Sequence, residues 1–280
     1  MSKNLPAYAR KPRALPAALI ALVLLTATSP ASATSSAAWS AAAHHTVKPT
    51  IVLVHGAFAD SSGWNGVIAR LQNAGYPVIA AANPLRDLTG DAAYVSSVIS
   101  TISGPVVLVG HSYGGEVITN AAVGHSNVKA LVYVAAFAPD EGESGLALAG
   151  AFPGSQLGAA LITRSFPMPG GGTGTDAYID PAKFRQVFAA DLPLAGTSLM
   201  AATQRPVSVA ALATPSGVPA WKTIASWYLV AGSDQAIPPA AERFMAKRAN
   251  ARTIEIKGAS HAVMISHPRS TADLIIAAAG

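Results

Sequence analysis

Gly110-His111-Ser112-Tyr113-Gly114 is a G-x-S-x-G pattern, and Gly115 extends it. A serine alcohol is a weak nucleophile until a base takes its proton, and a third group must hold that base in the right tautomer. The pattern therefore asks for a histidine and a carboxylate elsewhere in the chain. Its setting carries more weight than the string itself. Ser112 lies between an apolar run, Val106–Val109, and a stretch with helical spacing that begins at Tyr113. A strand that turns sharply into a helix at a serine is a nucleophile elbow. Glycines two residues before and two after let neighbouring backbone pass close. The N-terminus of the helix then faces developing negative charge.

Seven histidines compete for the role of base. His44 and His45 lie in an Ala/Ser/Thr-rich leader. His55 and His111 flank two glycine turns and read as structural, His125 sits in a polar connection, and His267 opens the last helix. His261 follows the strand Thr253–Ile256 across a short loop, where the edge of a sheet would present it. Asp234 follows the strand Trp227–Ala231 and is placed on the same edge. The expected triad is Ser112, Asp234 and His261, in that chain order. An oxyanion hole needs two preorganised N–H donors. Tyr113 at the helix start supplies one. The loop His55-Gly56-Ala57-Phe58 supplies the other, with Ala57 the expected donor and its neighbour Phe58 the alternative.

The elements that must carry these residues follow a β-α rhythm. Thr50–Val54, Pro77–Ala81, Val106–Val109 and Val128–Ala135 read as strands, and helical spacing fills the gaps between them. Fully apolar strands alternating with helices imply a parallel sheet covered on both faces. The rhythm stops after Phe137 and returns at Trp227. The expected architecture is thus α/β, a mostly parallel six-stranded sheet with helices on both faces. A mainly helical lid, inserted at about residues 139–219, lies over the carboxyl edge where such sheets bind ligands. Phe166 and Met168 in the lid, Phe137 just before it and Phe58 in the loop after the first strand are the candidate substrate contacts. They favour an apolar or aromatic substrate.

Composition narrows the function classes. The formal charge is +5, but Lys3, Arg10, Lys11 and Arg13 supply four of nineteen positive residues, and without them the balance is 15 against 14. Such a body has no broad basic face for nucleic acid. Residues 1–33 read as a signal peptide, with a basic start, an apolar stretch from Ala14 to Ala27 and a cut after Ala33. That stretch falls short of the roughly 20 residues needed to span a bilayer, so no stable membrane insertion is expected. Residues 34–49 form a leader, residues 50–280 form the folded domain, and the location is secreted or periplasmic. With no cysteine, disulfides, thiolate metal sites and a cysteine nucleophile are excluded.

The segments Val54-His-Gly-Ala57, Gly110-His-Ser-Tyr-Gly-Gly115, Gly232-Ser-Asp-Gln-Ala-Ile-Pro238 and Gly258-Ala-Ser-His261 resemble the α/β-hydrolase superfamily. The resemblance is greatest to the small branch of plant methyl esterases, hydroxynitrile lyases and bacterial esterase-like relatives. It implies a cofactor-free enzyme without a metal, a helical cap, and Ala57 and Tyr113 as oxyanion donors. Hydroxynitrile lyases of that branch carry a lysine directly after the catalytic histidine, where this chain has Ala262. Dehalogenases and epoxide hydrolases use an aspartate where this chain has Ser112. The expected activity is hydrolysis of a small carboxylic ester. A lyase or C–C hydrolase using the same triad, and a small-molecule receptor with slow turnover, are the alternatives.

Overall fold

The computed structural model describes residues 47–280. The expected signal peptide, its cut after Ala33 and most of the leader lie outside the described residues. From Thr50 the chain runs β1 (Thr50–Val54), α1 (Asn65–Asn73), β2 (Val78–Ala81), α2 (Leu88–Ser100), β3 (Val106–Ser112), α3 (Tyr113–Ala121) and β4 (Val128–Ala136). The rhythm resumes later with β8, and the elements between β4 and β8 form the insertion. In order these are α4 (Gly145–Gly150), α5 (Leu157–Ala160), β5 (Leu161–Pro167), β6 (Thr173–Ile179), α6 (Pro181–Phe188), α7 (Leu194–Thr203), β7 (Val207–Ser208) and α8 (Val209–Ala213). The core then closes with β8 (Ser226–Ala231), α9 (Pro239–Arg248), β9 (Arg252–Ile256), α10 (Val263–Ser266) and α11 (Pro268–Ala279).

Six strands pair in the order β2-β1-β3-β4-β8-β9, every neighbouring pair parallel. This is the expected architecture. Alternation along each strand feeds two cores. Ile51, Leu53, Val107 and Val109 pack with Val67 and Leu71 of α1 and Ile275 of α11. Val52, Val54, Val106 and Leu108 pack with Val95 and Ile99 of α2, Val117 of α3 and Met245 of α9. Burying each such side chain contributes about 1.5–3 kcal/mol. Local signals agree with the packing. Asp87 caps α2 by accepting from the Gly90 amide at 2.6 Å, an interaction worth about 1 kcal/mol.

The strand order reverses between β1 and β3, because β2 lies on one side of β1 and all later strands on the other. Parallel sheets bind ligands in the crevice beyond the strand ends at such a reversal. Ser112 ends β3 and the loop Gly56–Phe58 follows β1, so both sit at this point.

The insertion holds more helix than strand, but less than half of it is helical, and it also contains a three-stranded antiparallel sheet, β5-β6-β7, where a mainly helical lid is expected from sequence. It is fastened to the loops at the carboxyl edge of the main sheet. The Ser208 amide donates to Leu85 O at 2.9 Å, Arg86 pairs with Asp176 at 2.8 Å, and the Gln156 amide donates to Gln235 O at 2.8 Å. Among the described residues no helix is long and apolar enough to cross a membrane.

Candidate active site

Ser112 has φ 55° and ψ −126°, a region an L-residue occupies only when its surroundings impose it, at a cost of about 1–3 kcal/mol. The imposing surroundings are backbone on both sides. A side chain on Gly110 would strike the carbonyl of Gly114, and one on Gly114 would overlap the carbonyl oxygen of Val54 in β1. Only glycine at both positions lets β3, α3 and β1 meet this closely. Strand β3 thus continues through the serine, beyond the Val109 end read from sequence, because His111 and Ser112 still pair with β4.

Ser112 is the N-cap of α3. The Tyr113 amide is therefore the first of the helix and has no acceptor within it. The Tyr113 ring turns away from the site, and its hydroxyl donates to Asp91 at 2.8 Å. Gly56 brings the opposite loop onto the serine: a side chain there would lie 2.5 Å from Ser112 Cβ. Phe58 follows with φ 60°. Ala57 directly follows Gly56, so the loop expected to supply the second oxyanion donor lies against the serine.

His261 Nδ1 meets Asp234 Oδ2 at 2.5 Å, and both side chains are almost wholly buried. The other oxygen of Asp234 accepts from the amides of Ala236 (2.6 Å) and Ile237 (2.9 Å). Those two amides fix the carboxylate so that a single oxygen is left for the imidazole. His111, next to the serine, presents Nε2 to the carbonyl of His261 at 3.0 Å, and the two rings lie 4.7 Å apart. Burial holds the pKa of His111 well below the usual histidine value, with the charge of His261 acting in the same direction. His111 is therefore neutral, and its N–H donates to His261 O. Burial likewise lowers His55 to about 4, which removes it as a competing cation. No hydrogen bond joins Ser112 Oγ to His261; such contacts commonly tighten only when substrate binds.

Asp234 and His261 are paired, His261 contacts His111, the neighbour of Ser112, and the loop at Gly56 lies against Ser112. The four candidate substrate contacts divide. The amide of Phe137 donates to Ser112 O at 3.1 Å. Its ring faces a cavity of about 380 Å³, lined also by Leu146, Phe152, Leu157, Leu161 and Leu212. Phe58 lines a smaller cleft, about 50 Å³, with Met200 and Ile265. Phe166 and Met168 lie apart from both of these cavities. Phe166 lies on β5 with Arg86 over its ring at 5.0 Å. Met168 sits at the hairpin turn, 48% exposed. Neither lines either cavity, because the segment forms an antiparallel hairpin and not a helix folded over the serine.

Sequence reasoning also missed Glu242. It is wholly buried on α9, and Oε2 accepts from the Ala231 amide at 3.0 Å, just before the Asp234 loop. Burial, and then the neighbouring Asp234 carboxylate, raise its pKa well above the usual glutamate value. A carboxyl raised in the folded state supports folding most fully at low pH. That support is lost as pH climbs from the ordinary glutamate range through the raised value. Gln imitates the protonated acid and cannot ionise. Glu242→Gln is expected to flatten this loss, by roughly 2–4 °C per kcal/mol in thermal midpoint, in melts from pH 5 to 9. Glu242→Ala, which strands the Ala231 N–H, is expected to lose about 1–3 kcal/mol at pH 5, a deficit that narrows as pH rises because alanine, like glutamine, cannot ionise.

A parallel sheet with a strained serine at its strand reversal and a buried His–Asp pair beside it defines a hydrolase-type α/β fold. Residues 51–274 match the alpha/beta hydrolase family, and the chain belongs to it. An alpha/beta hydrolase of Aspergillus novofumigatus, NvfD, is 28% identical over 256 residues, covering 84% of this chain and 98% of its own length. Polyneuridine aldehyde esterase superposes with a TM-score of 0.71 at 20% identity, covering 82% of this chain and 98% of that one. A pyrethroid hydrolase from Sphingobium faniae JZ-2 superposes at 0.67 with 25% identity, covering 82% and 97%. The chain is accordingly a hydrolase of this family.

Proposed function

We propose that the protein is an exported serine esterase that cleaves carboxylic esters of small apolar or aromatic substrates through an acyl-enzyme. The observation that carries this reading is the buried Asp234–His261 pair held beside Ser112 in its strained conformation. Asp234 keeps the Nδ1 proton in place, so Nε2 is the free base and takes the proton of Ser112 Oγ as oxygen attacks the acyl carbon. The amides of Ala57 and Tyr113 receive the developing oxyanion, a contribution of ~10²–10³ in kcat for each donor in comparable sites. His261 returns the proton to the leaving alcohol, and water then repeats the sequence to free the acid. Ala262 after the histidine offers no cation for a leaving cyanide, which favours hydrolysis over cyanogenesis. The esterase and hydrolase names of the structural relatives agree with the reading. The apolar cavity beside Phe137 suits an alkyl or aryl group.

The test is turnover of p-nitrophenyl esters of increasing acyl length by the purified protein. Hydrolysis is expected, with kcat/KM rising until the chain fills the cavity and falling beyond it. A folded protein that hydrolyses none of the series would contradict the reading.

A further inference from the structure

The histidine loop is gripped by the lid on both sides of His261. The Ser260 amide donates to Asp191 Oδ2 at 3.2 Å, and the Ser260 hydroxyl donates to the other oxygen of the same carboxylate. On the far side, the Ala262 amide donates to Phe188 O at 2.9 Å. The Phe188 ring stands edge-on to the imidazole, centroids 5.0 Å apart. Phe188 ends α6 and Asp191 lies in the link to α7, so one four-residue lid segment holds residues 260 and 262 and touches residue 261. Ser260 is buried, and its two bonds to Asp191 are part-buried. His267 Nδ1 lies 3.9 Å from Oδ2 of the same carboxylate. Burial works to raise the Asp191 carboxyl, but hydrogen bonds from Ser260 and Ser266 hold it below its ordinary value, so it is ionised and accepts at both oxygens.

We propose that Asp191 is a positioning residue through which the lid sets the placement of His261, so that the base is correctly held only while lid segment 188–191 is docked. The serine-esterase reading supplies the activity in this proposal, but the docking itself is read from the geometry alone. Asp234 fixes the imidazole at Nδ1 and His111 fixes its backbone carbonyl, both from the core. The Phe188–Asp191 grip comes from the lid insertion instead. Displacing the lid would then withdraw the base as well as open the site.

The experiment compares Asp191→Ala, Asp191→Asn and Asp180→Ala with the wild type. Asp180 caps α6 through the Ala182 amide at 3.0 Å and belongs to the lid, but does not touch the histidine loop. Two readouts are taken: amide hydrogen exchange at Ser260 and Ala262, which needs no turnover, and steady-state ester hydrolysis. In Asp191→Ala, both amides are expected to exchange faster. kcat is expected to fall about 10–100-fold, the scale of an ångström-level misplacement, with KM changed by less than about threefold. Asp191→Asn retains one acceptor oxygen and is expected to fall between the two. Asp180→Ala is expected to leave exchange at Ser260 and Ala262, and kcat, as in the wild type. Unchanged exchange at both amides in Asp191→Ala would overturn the proposal, as would equal effects from Asp191→Ala and Asp180→Ala. If the wild type hydrolyses no ester, the esterase reading fails and the exchange result alone decides the clamp.

Discussion

Asp234→Asn is expected to lower kcat by about 10⁴, the size such a change has in serine proteases with the same constellation, while leaving the fold intact. The direction follows from which atom does what. Two backbone amides, Ala236 and Ile237, both donate to Oδ1 of Asp234. An asparagine at this position must keep its carbonyl oxygen there, since its NH₂ group cannot accept. The NH₂ then stands where Oδ2 met the imidazole and donates to Nδ1 of His261. The ring is driven into the tautomer with its proton on Nε2, and the base that should take the Ser112 proton is lost. Size and hydrogen-bond count are unchanged, so the thermal midpoint should stay close to that of the wild type. The measurement is kcat on the best p-nitrophenyl ester beside a thermal melt. A variant with kcat within tenfold of wild type would mean that Asp234 does not govern the tautomer.

The second large effect is Ser112→Ala, which removes the nucleophile and is expected to lower kcat by ~10⁴–10⁶. Alanine keeps the Cβ and so the same backbone strain at φ 55°, and the core packing around the elbow is untouched. Residual activity near the wild-type rate, with the Ser112→Ala protein free of wild-type contamination, would remove Ser112 from the chemistry. Combining this change with Asp234→Asn should add little, since residues that act as one unit are far from additive.

How much of this was legible in the sequence depended on how strongly each segment is buried. The strands β1, β3, β4 and β8 are buried along almost their whole length, so they read as unbroken apolar runs. The G-x-S-x-G string could be placed at a strand-to-helix turn because β3 and α3 each announce themselves. The hairpin β5-β6 gave no such signal. Residues Ile162–Ser165 are all exposed, so nothing forces apolar and polar residues to alternate. The glycines at 170–172 mark the turn, but the flanking residues carry no period that says strand. Phe166 and Met168 are candidate substrate contacts by residue type alone, since aromatic and sulfur side chains in an insertion suggest a pocket lining, and the hairpin that carries them leaves no mark in the sequence.

Glu242 shows the opposite case, a signal present but not used. Ala241, Glu242, Met245 and Ala246 recur at helical spacing and form the buried face of α9. An acid in the middle of an apolar stripe is the pattern of a buried, protonated carboxyl. Asp191 carried no comparable mark. Its partners, Ser260 and Ser266, lie some seventy residues further along the chain, and only the folded lid brings them together.

The central claim is that an ester's acyl group passes through Ser112. The most direct measurement is mass spectrometry of the protein quenched during turnover of a slowly deacylating ester, followed by peptide mapping. One acyl group per chain is expected, carried on the peptide containing Ser112 and absent from the Ser112→Ala variant. Steady turnover with no adduct, or an adduct on any other residue, would contradict it.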